Sequence, residues 1–229
     1  MMKNLIYAIM ALVCGVCSAN ASERQEMACG DKNLSYCITH FDRQCSAKNY
    51  GACWVVGNLH DEQKQYSKAK KYYELVCDKA NSKDSYQVEL INGGFGNKLP
   101  AITAMKAACY NLASYYYDGL GVRQDFAKAL QYDKKACGLG YANSCARVGG
   151  SYLLGEGTKK DFKLAKSYYE KACEMQDGLG CFGLGFMYRF GEGVAKNLSK
   201  AKELCGKACD LGNQDGCDSY KELNEKGVK

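Results

Sequence analysis

Proline, histidine and tryptophan are nearly missing from this chain. Its 229 residues include one proline, Pro100, two histidines, His40 and His60, and one tryptophan, Trp54. Proline fixes φ and removes a backbone donor, so its scarcity leaves long helices uninterrupted. Two histidines, with no His-Glu-x-x-His segment, exclude the usual histidine-based zinc hydrolases. No metal site and no cofactor are expected. The glycine-rich INGGFGN stretch lacks the lysine and the spacing of a phosphate-binding loop. Charge of one sign is lacking too. Lys and Arg total 31 against 25 Asp and Glu, a net charge of +6, and the two signs are interspersed. That pattern describes a solvated surface, and no nucleic-acid partner is expected. Beyond residue 16 no apolar run approaches the length that spans a bilayer.

What is abundant is cysteine, at 15, and glycine, at 25. The first 21 residues, MMKNLIYAIMALVCGVCSANA, predict a signal peptide over 1–21. Lys3 is the basic start, Leu5 to Val16 the apolar stretch, and Ala19-Asn20-Ala21 the small-residue cleavage site after Ala21. The mature chain is then periplasmic or secreted. There its remaining cysteines meet an oxidising compartment in which disulfides persist.

The cysteines repeat. Cys109, Cys145, Cys181 and Cys217 stand 36 residues apart, as do Cys137, Cys173 and Cys209. Aligned on them, Tyr116, Tyr152 and Tyr188 coincide, as do Gly119, Gly155 and Gly191, then Gly121, Gly157 and Gly193. A fixed period of this size marks a stacked-repeat architecture. In each unit the cysteine and unit positions 4, 5 and 8 share one helical face. A Gly-x-Gly pair then stops the first helix, and Asp125, Asp161 or Asn197 caps the second. The expected order is a signal peptide over 1–21, a capping helical hairpin over 22–52, repeats over 53–216 and a C-terminal capping helix over 217–229. The repeats divide as 53–108, 109–144, 145–180 and 181–216, with an insertion at about 78–108. The first unit is four residues short, with HDEQK in place of the Gly-x-Gly turn.

Most units carry two cysteines eight positions apart, as in CGLGYANSC. Eight residues of unbroken helix rise about 12 Å, whereas a disulfide needs Cα atoms about 4.4–6.8 Å apart. The intervening residues are turn formers, so the chain reverses between the cysteines and a bridge clamps the turn. The expected pairs are Cys29–Cys37, Cys45–Cys53, Cys77–Cys109, Cys137–Cys145, Cys173–Cys181 and Cys209–Cys217. Cys205 is left as a free thiol, at the repeat position held elsewhere by Tyr73 and Tyr169.

The Leu/Val-Gly/Ala-x-x-Tyr, Gly-x-Gly, Asp-x-x-x-Ala and Tyr-x-Lys-Ala positions resemble the Sel-1-like repeat family, relatives of the tetratricopeptide repeats. With its Cys-x7-Cys pairs and expected signal peptide, the chain is similar to the cysteine-rich secreted subgroup typified by the Helicobacter cysteine-rich proteins. The resemblance runs from Cys29 to the end. It implies an all-α fold, an α/α solenoid of helix pairs stapled by disulfides, and a scaffold function. It also implies, for this subgroup, penicillin binding with β-lactamase activity, so a β-lactam or peptidoglycan-like ligand is the alternative to a protein or peptide partner from the envelope or a host. It assigns no catalytic residue here.

The residues themselves give hydrolysis little support. Ser-x-x-K occurs twice, as Ser67-Lys-Ala-Lys70 and Ser199-Lys-Ala-Lys202, but at one repeat position and without the Ser-Asp-Asn and Lys-Thr-Gly elements of serine β-lactamases. Binding is better served. Unit positions 2, 6, 9 and 10 flank the core face of each first helix, and aromatic residues with an arginine make a typical contact surface. The expected groove is lined by Tyr110, Tyr117, Phe182, Phe186, Arg189 and Phe190, in a monomer. Finally, Asn33-Leu-Ser35 is an N-x-S sequon, which makes Asn33 a glycan acceptor if the chain is exported.

Overall fold

The computed structural model describes residues 33–86 and 99–229. The expected signal peptide, Cys29 and residues 87–98 of the insertion at about 78–108 lie outside the described residues. The chain divides into two compact units between Gln124 and Asp125.

The first unit holds α1 (Leu34–Ser46), α2 (Tyr50–Glu62), α3 (Tyr66–Lys79), a short ladder of β1 (Ser85–Tyr86) with β2 (Leu99–Pro100), and α4 (Ala101–Asp118). The ladder is antiparallel, pairing Ser85 with Pro100 and Tyr86 with Leu99. Asn33 and Asn49 cap α1 and α2, their side chains accepting from Tyr36 N and Ala52 N. Pro100 sits directly before α4, where a missing N–H costs nothing. Phe41, Val56 and Leu59 fill the core between α1 and α2. Cys45–Cys53 ties α1 to α2 and Cys77–Cys109 ties α3 to α4, with Cα separations of 4.6 and 5.1 Å. Cys37 is disulfide-bonded as well.

The second unit holds α5 (Phe126–Gly138), α6 (Ala142–Leu154), α7 (Phe162–Glu174), α8 (Gly178–Phe190), α9 (Leu198–Asp210) and α10 (Gln214–Glu225). Asp125, Asp161 and Asn197 cap α5, α7 and α9 through their side-chain oxygens. Gly155 and Gly191 end α6 and α8 at φ +79°, in the left-handed conformation that glycine takes without strain. The second glycine of each pair has a different task. A Cβ at Gly157 would stand 2.3 Å from the Phe126 carbonyl oxygen, and one at Gly193 would stand 2.2 Å from Phe162 Cβ. Each turn therefore rests on the start of the preceding repeat's second helix, and only glycine permits that approach.

Disulfides close three of the five reversals of this unit, those at α5–α6, α7–α8 and α9–α10: Cys137–Cys145, Cys173–Cys181 and Cys209–Cys217, with Cα separations of 4.7, 4.5 and 4.4 Å. Cys205 is buried without a bridge. Backbones of the first helices α6, α8 and α10 approach one another, and α7 and α9 pack against them.

One position organises the core between repeats. Tyr169 of α7 lies over two glycines, such that a Cβ at Gly149 or Gly183 would meet its ring at 2.8 or 2.3 Å. Tyr73 lies likewise against Gly57 in the first unit. The same position on α5 is Asp133, which accepts from Ser144 Oγ at 2.8 Å and pairs with Arg147 Nε at 3.0 Å. On α9 it is Cys205, within hydrogen-bond reach of Ser219.

Candidate functional site

A cavity of about 280 Å3 opens in the second unit, between the end of α6 and one face of α8. Its walls are Leu153 and Leu154 from α6 and Leu179, Phe182 and Phe186 from α8, and Tyr169 closes its back. Helical spacing explains the stripe: 179, 182, 186 and 190 recur at intervals of three or four and so share one face of α8. Exposed apolar residues stand in the wall and beside it. Leu154 is 58% exposed and Phe190 is 54% exposed. Phe186 and Phe190 pack with ring centroids 4.5 Å apart, and the Arg189 guanidinium lies over the Phe190 ring at 5.2 Å.

Two charges border the cavity, Lys160 after α6 and Glu192 after α8. Arg189 is anchored from α10, donating to Glu222 Oε1 at 2.7 Å. Bonds from Arg189 and Lys226 hold the Glu222 carboxyl down at about 2. Burial pushes the Tyr169 hydroxyl up to about 12, so it stays neutral at any physiological pH. The site is therefore apolar at its centre and charged at its edge, the distribution found where side chains of a partner dock.

Of the residues expected to line a groove, Phe182, Phe186, Arg189 and Phe190 share this one face of α8. Tyr110 and Tyr117 lie on α4 of the first unit, Tyr110 half-buried and Tyr117 exposed. Leu179, Tyr169, Lys160 and Glu192 were missed from the sequence. Leu179 could have been found by extending the α8 stripe one turn backwards. Glu192 is the middle residue of its Gly-x-Gly pair and Lys160 lies three residues past Gly157, and repeat register places both along one edge of the stack.

The catalytic candidates have other employment. Ser67 Oγ donates to the Gly121 carbonyl at 3.2 Å. Partial burial disfavours the charge on Lys70, but Glu74 at 3.3 Å outweighs it and the pKa is raised, the wrong direction for a lysine base. Lys202 donates to the Val228 carbonyl at 2.6 Å. Burial also raises the Cys205 thiol, against the pull of Arg189 and Ser219, which leaves it protonated and unreactive. Among the described residues, no group of three or more His, Cys, Asp or Glu side chains is placed to hold a metal ion. No described helix is long and apolar enough to cross a membrane.

The family model for the Sel1 repeat matches residues 52–81, 106–141, 142–177 and 178–213, more than half of the chain. The chain belongs to the Sel1 repeat family. A Sel1 repeat protein from Oxalobacter formigenes superposes with a TM-score of 0.58 at 22% identity, over 76% of this chain and 62% of that one. This places the fold in the α/α solenoid class. Helicobacter pylori cysteine rich protein B is 35% identical over 49% of this chain and 95% of its own, with a TM-score of 0.40. Cytochrome c oxidase assembly factor 7 of Xenopus tropicalis is 39% identical over 102 residues, 44% of this chain. The match spans about a third of that relative's length, 34%.

Proposed function

We propose that this Sel1 repeat protein is an exported, monomeric scaffold that captures a protein or peptide segment in the cavity between α6 and α8. The observation that carries the proposal is the apolar wall of the cavity, with the exposed Leu154 in it and the exposed Phe190 beside it on α8. Large apolar side chains gathered on one exposed patch mark an interaction surface, whereas scattered ones do not. A cavity of about 280 Å3 lies at the small end of ligand pockets, suited to two or three large side chains of a partner. Tyr110 and Tyr117 are proposed as contacts on the first unit's own first-helix face. The hairpin over 22–52 and the helix over 217–229 serve as caps, since a repeat stack needs solvated ends.

Export is supported by the chemistry of the clamps. Five disulfides among the described residues suit the periplasm or the extracellular space. In that setting Asn33 remains a candidate glycan acceptor, exposed at the start of α1 with its oxygen occupied by Tyr36 N–H. The relatives named as assembly factors serve the assembly of another protein complex by their name, which fits a role in gripping partners. Hydrolysis of β-lactams gains nothing from the positions of Lys70 and Lys202, and nitrocefin should persist in the presence of the oxidised protein.

Panning a random-peptide library on the immobilised chain tests the proposal. Recovered peptides should be rich in large apolar residues. They should bind Phe186→Asp/Phe190→Asp at least about tenfold more weakly, a loss of about 1.4 kcal/mol. Equal binding by that variant would remove the cavity from the account.

A further inference from the structure

The shortened repeat has no glycine pair at its turn. Instead α2 runs on through His60, and the chain reverses through Lys64 at φ +56°. Lys64 N–H donates to the Asp61 carbonyl at 2.7 Å and Gln65 N–H to the His60 carbonyl at 2.8 Å. A side-chain bond closes the same turn, with His60 Nδ1 3.0 Å from Gln65 Oε1. Gln65 occupies the N-cap of α3 but makes no capping bond, because its amide is engaged by the histidine. The imidazole stacks on Tyr72 of α3 at 5.6 Å, and the Tyr72 hydroxyl donates to Asp42 of α1 at 2.8 Å. From α4, the Tyr115 hydroxyl donates to Asp61. Four helices thus meet at one polar turn, with His60 only 6% exposed at its centre.

An amide oxygen only accepts, so the neutral imidazole carries its proton on Nδ1. A further proton must go to Nε2 and leave a full charge on a buried ring. Burial is the main influence and holds His60 below the usual histidine value. The Gln65 bond and Asp42 oppose it, and Lys68 adds to it. The charged and titratable groups that act on or stack with the ring are Asp42 from α1 and Lys68 and Tyr72 from α3, while Asp61, the next residue on α2, accepts the Tyr115 hydroxyl from α4. Asp42, the anion that favours the charged ring, already accepts the Tyr72 hydroxyl.

We propose that His60 is an acid-released clasp, closing the α2–α3 turn at neutral pH and letting it open as the pH falls. With the folded-state pKa lowered, the unfolded turn binds the proton more readily. Stability is therefore full above about pH 6.5 and declines below it. The second unit contains no histidine, and its turns are held by disulfides, side-chain caps and residues at positive φ. Acid then loosens one unit selectively. Opening uncovers Tyr73 and its edge contact with Tyr115, 5.8 Å between centroids.

The only tryptophan, Trp54, lies on α2, so its fluorescence reports the first unit alone. Urea unfolding of the full oxidised chain, followed through Trp54, should show a lower midpoint at about pH 5 than at about pH 7.5. His60→Gln should give the same midpoint at both. Hydrogen exchange, corrected for its intrinsic pH dependence, should accelerate several-fold at the α2–α3 turn in acid and stay level at the α7–α8 turn. A wild-type midpoint that does not fall, or an equal fall in His60→Gln, overturns the proposal. A proton NMR titration of the two histidines needs no variant. A His60 titration at or above the ordinary value overturns the proposal even if His60→Gln does not fold.

Discussion

Two hairpins of the second unit share one backbone and fill one slot differently. Between α5 and α6 the slot holds Asp133, Ser144 and the long Arg147. Between α7 and α8 it holds the Tyr169 ring above Gly183. A small acid with a large partner has replaced a large ring with no partner side chain. Volume is kept while chemistry is not, and close-packed interiors demand the first. Asp133, 3% exposed, bears the consequence. Burial pushes its carboxyl up to about 6, against Arg147 and the Ser144 bond.

The largest effect should come from forcing one slot's chemistry into the other. Tyr169→Asp removes the ring and buries an unpaired carboxylate, a loss of about 4–5 kcal/mol by chemical denaturation. Gly183→Arg alone collides with the ring. Together the two changes recreate the Asp133–Arg147 pair, and a double-mutant cycle should return at least about 2 kcal/mol of coupling. Simple additivity would show that the slots are not equivalent.

Next in size is the pH response. A folded-state pKa raised from 3.8 to about 6 means the folded state takes the proton first. The contribution of Asp133 is therefore most favourable below about pH 4 and is lost as the pH rises through about 6, on the order of 3 kcal/mol in all. Hydrogen exchange of α5 and α6 should show protection rising as the pH falls from about 7 to about 5, and Asp133→Asn should abolish that slope. The first unit should move the opposite way, through His60.

The clamps sharpen the comparison further. Cys137–Cys145 and Cys173–Cys181 close loops of equal length. Chain entropy alone predicts an equal loss of about 2–3 kcal/mol when either pair is changed to serine. A larger loss for Cys137–Cys145 would show that its clamp also holds the buried ion pair together. The smallest effect lies at the turn itself. The α5–α6 turn uses Gly140 at φ +85°, and the α7–α8 turn uses Gln176 at φ +62°. Gln176→Gly should stabilise by about 0.5–1 kcal/mol, read as a raised melting temperature.

Much of this was legible in the sequence because it is local. Helix stops at Gly155 and Gly191 and caps at Asp125, Asp161 and Asn197 follow from nearest neighbours and recur with the period. The 36-residue spacing then stacks them. The Asp133 slot was not legible. Its partners come from the next helix, and only fitting a tyrosine against a glycine in one repeat shows what an aspartate and an arginine replace in another. The His60 turn was visible only as a missing Gly-x-Gly. In the cavity, the α8 aromatics were legible from helical spacing. Tyr169 was hidden because its repeat position reads as core, and it serves the core and the cavity together.

The most direct test compares two exposed apolar residues on opposite helices. Phe190 lies on α8 beside the cavity, and Leu164, 39% exposed, lies on α7. A peptide selected on the wild-type chain should bind Phe190→Asp at least about tenfold more weakly and Leu164→Asp with unchanged affinity. Both variants should melt close to the wild type. Equal loss in both, or loss in neither, would contradict a binding site between α6 and α8.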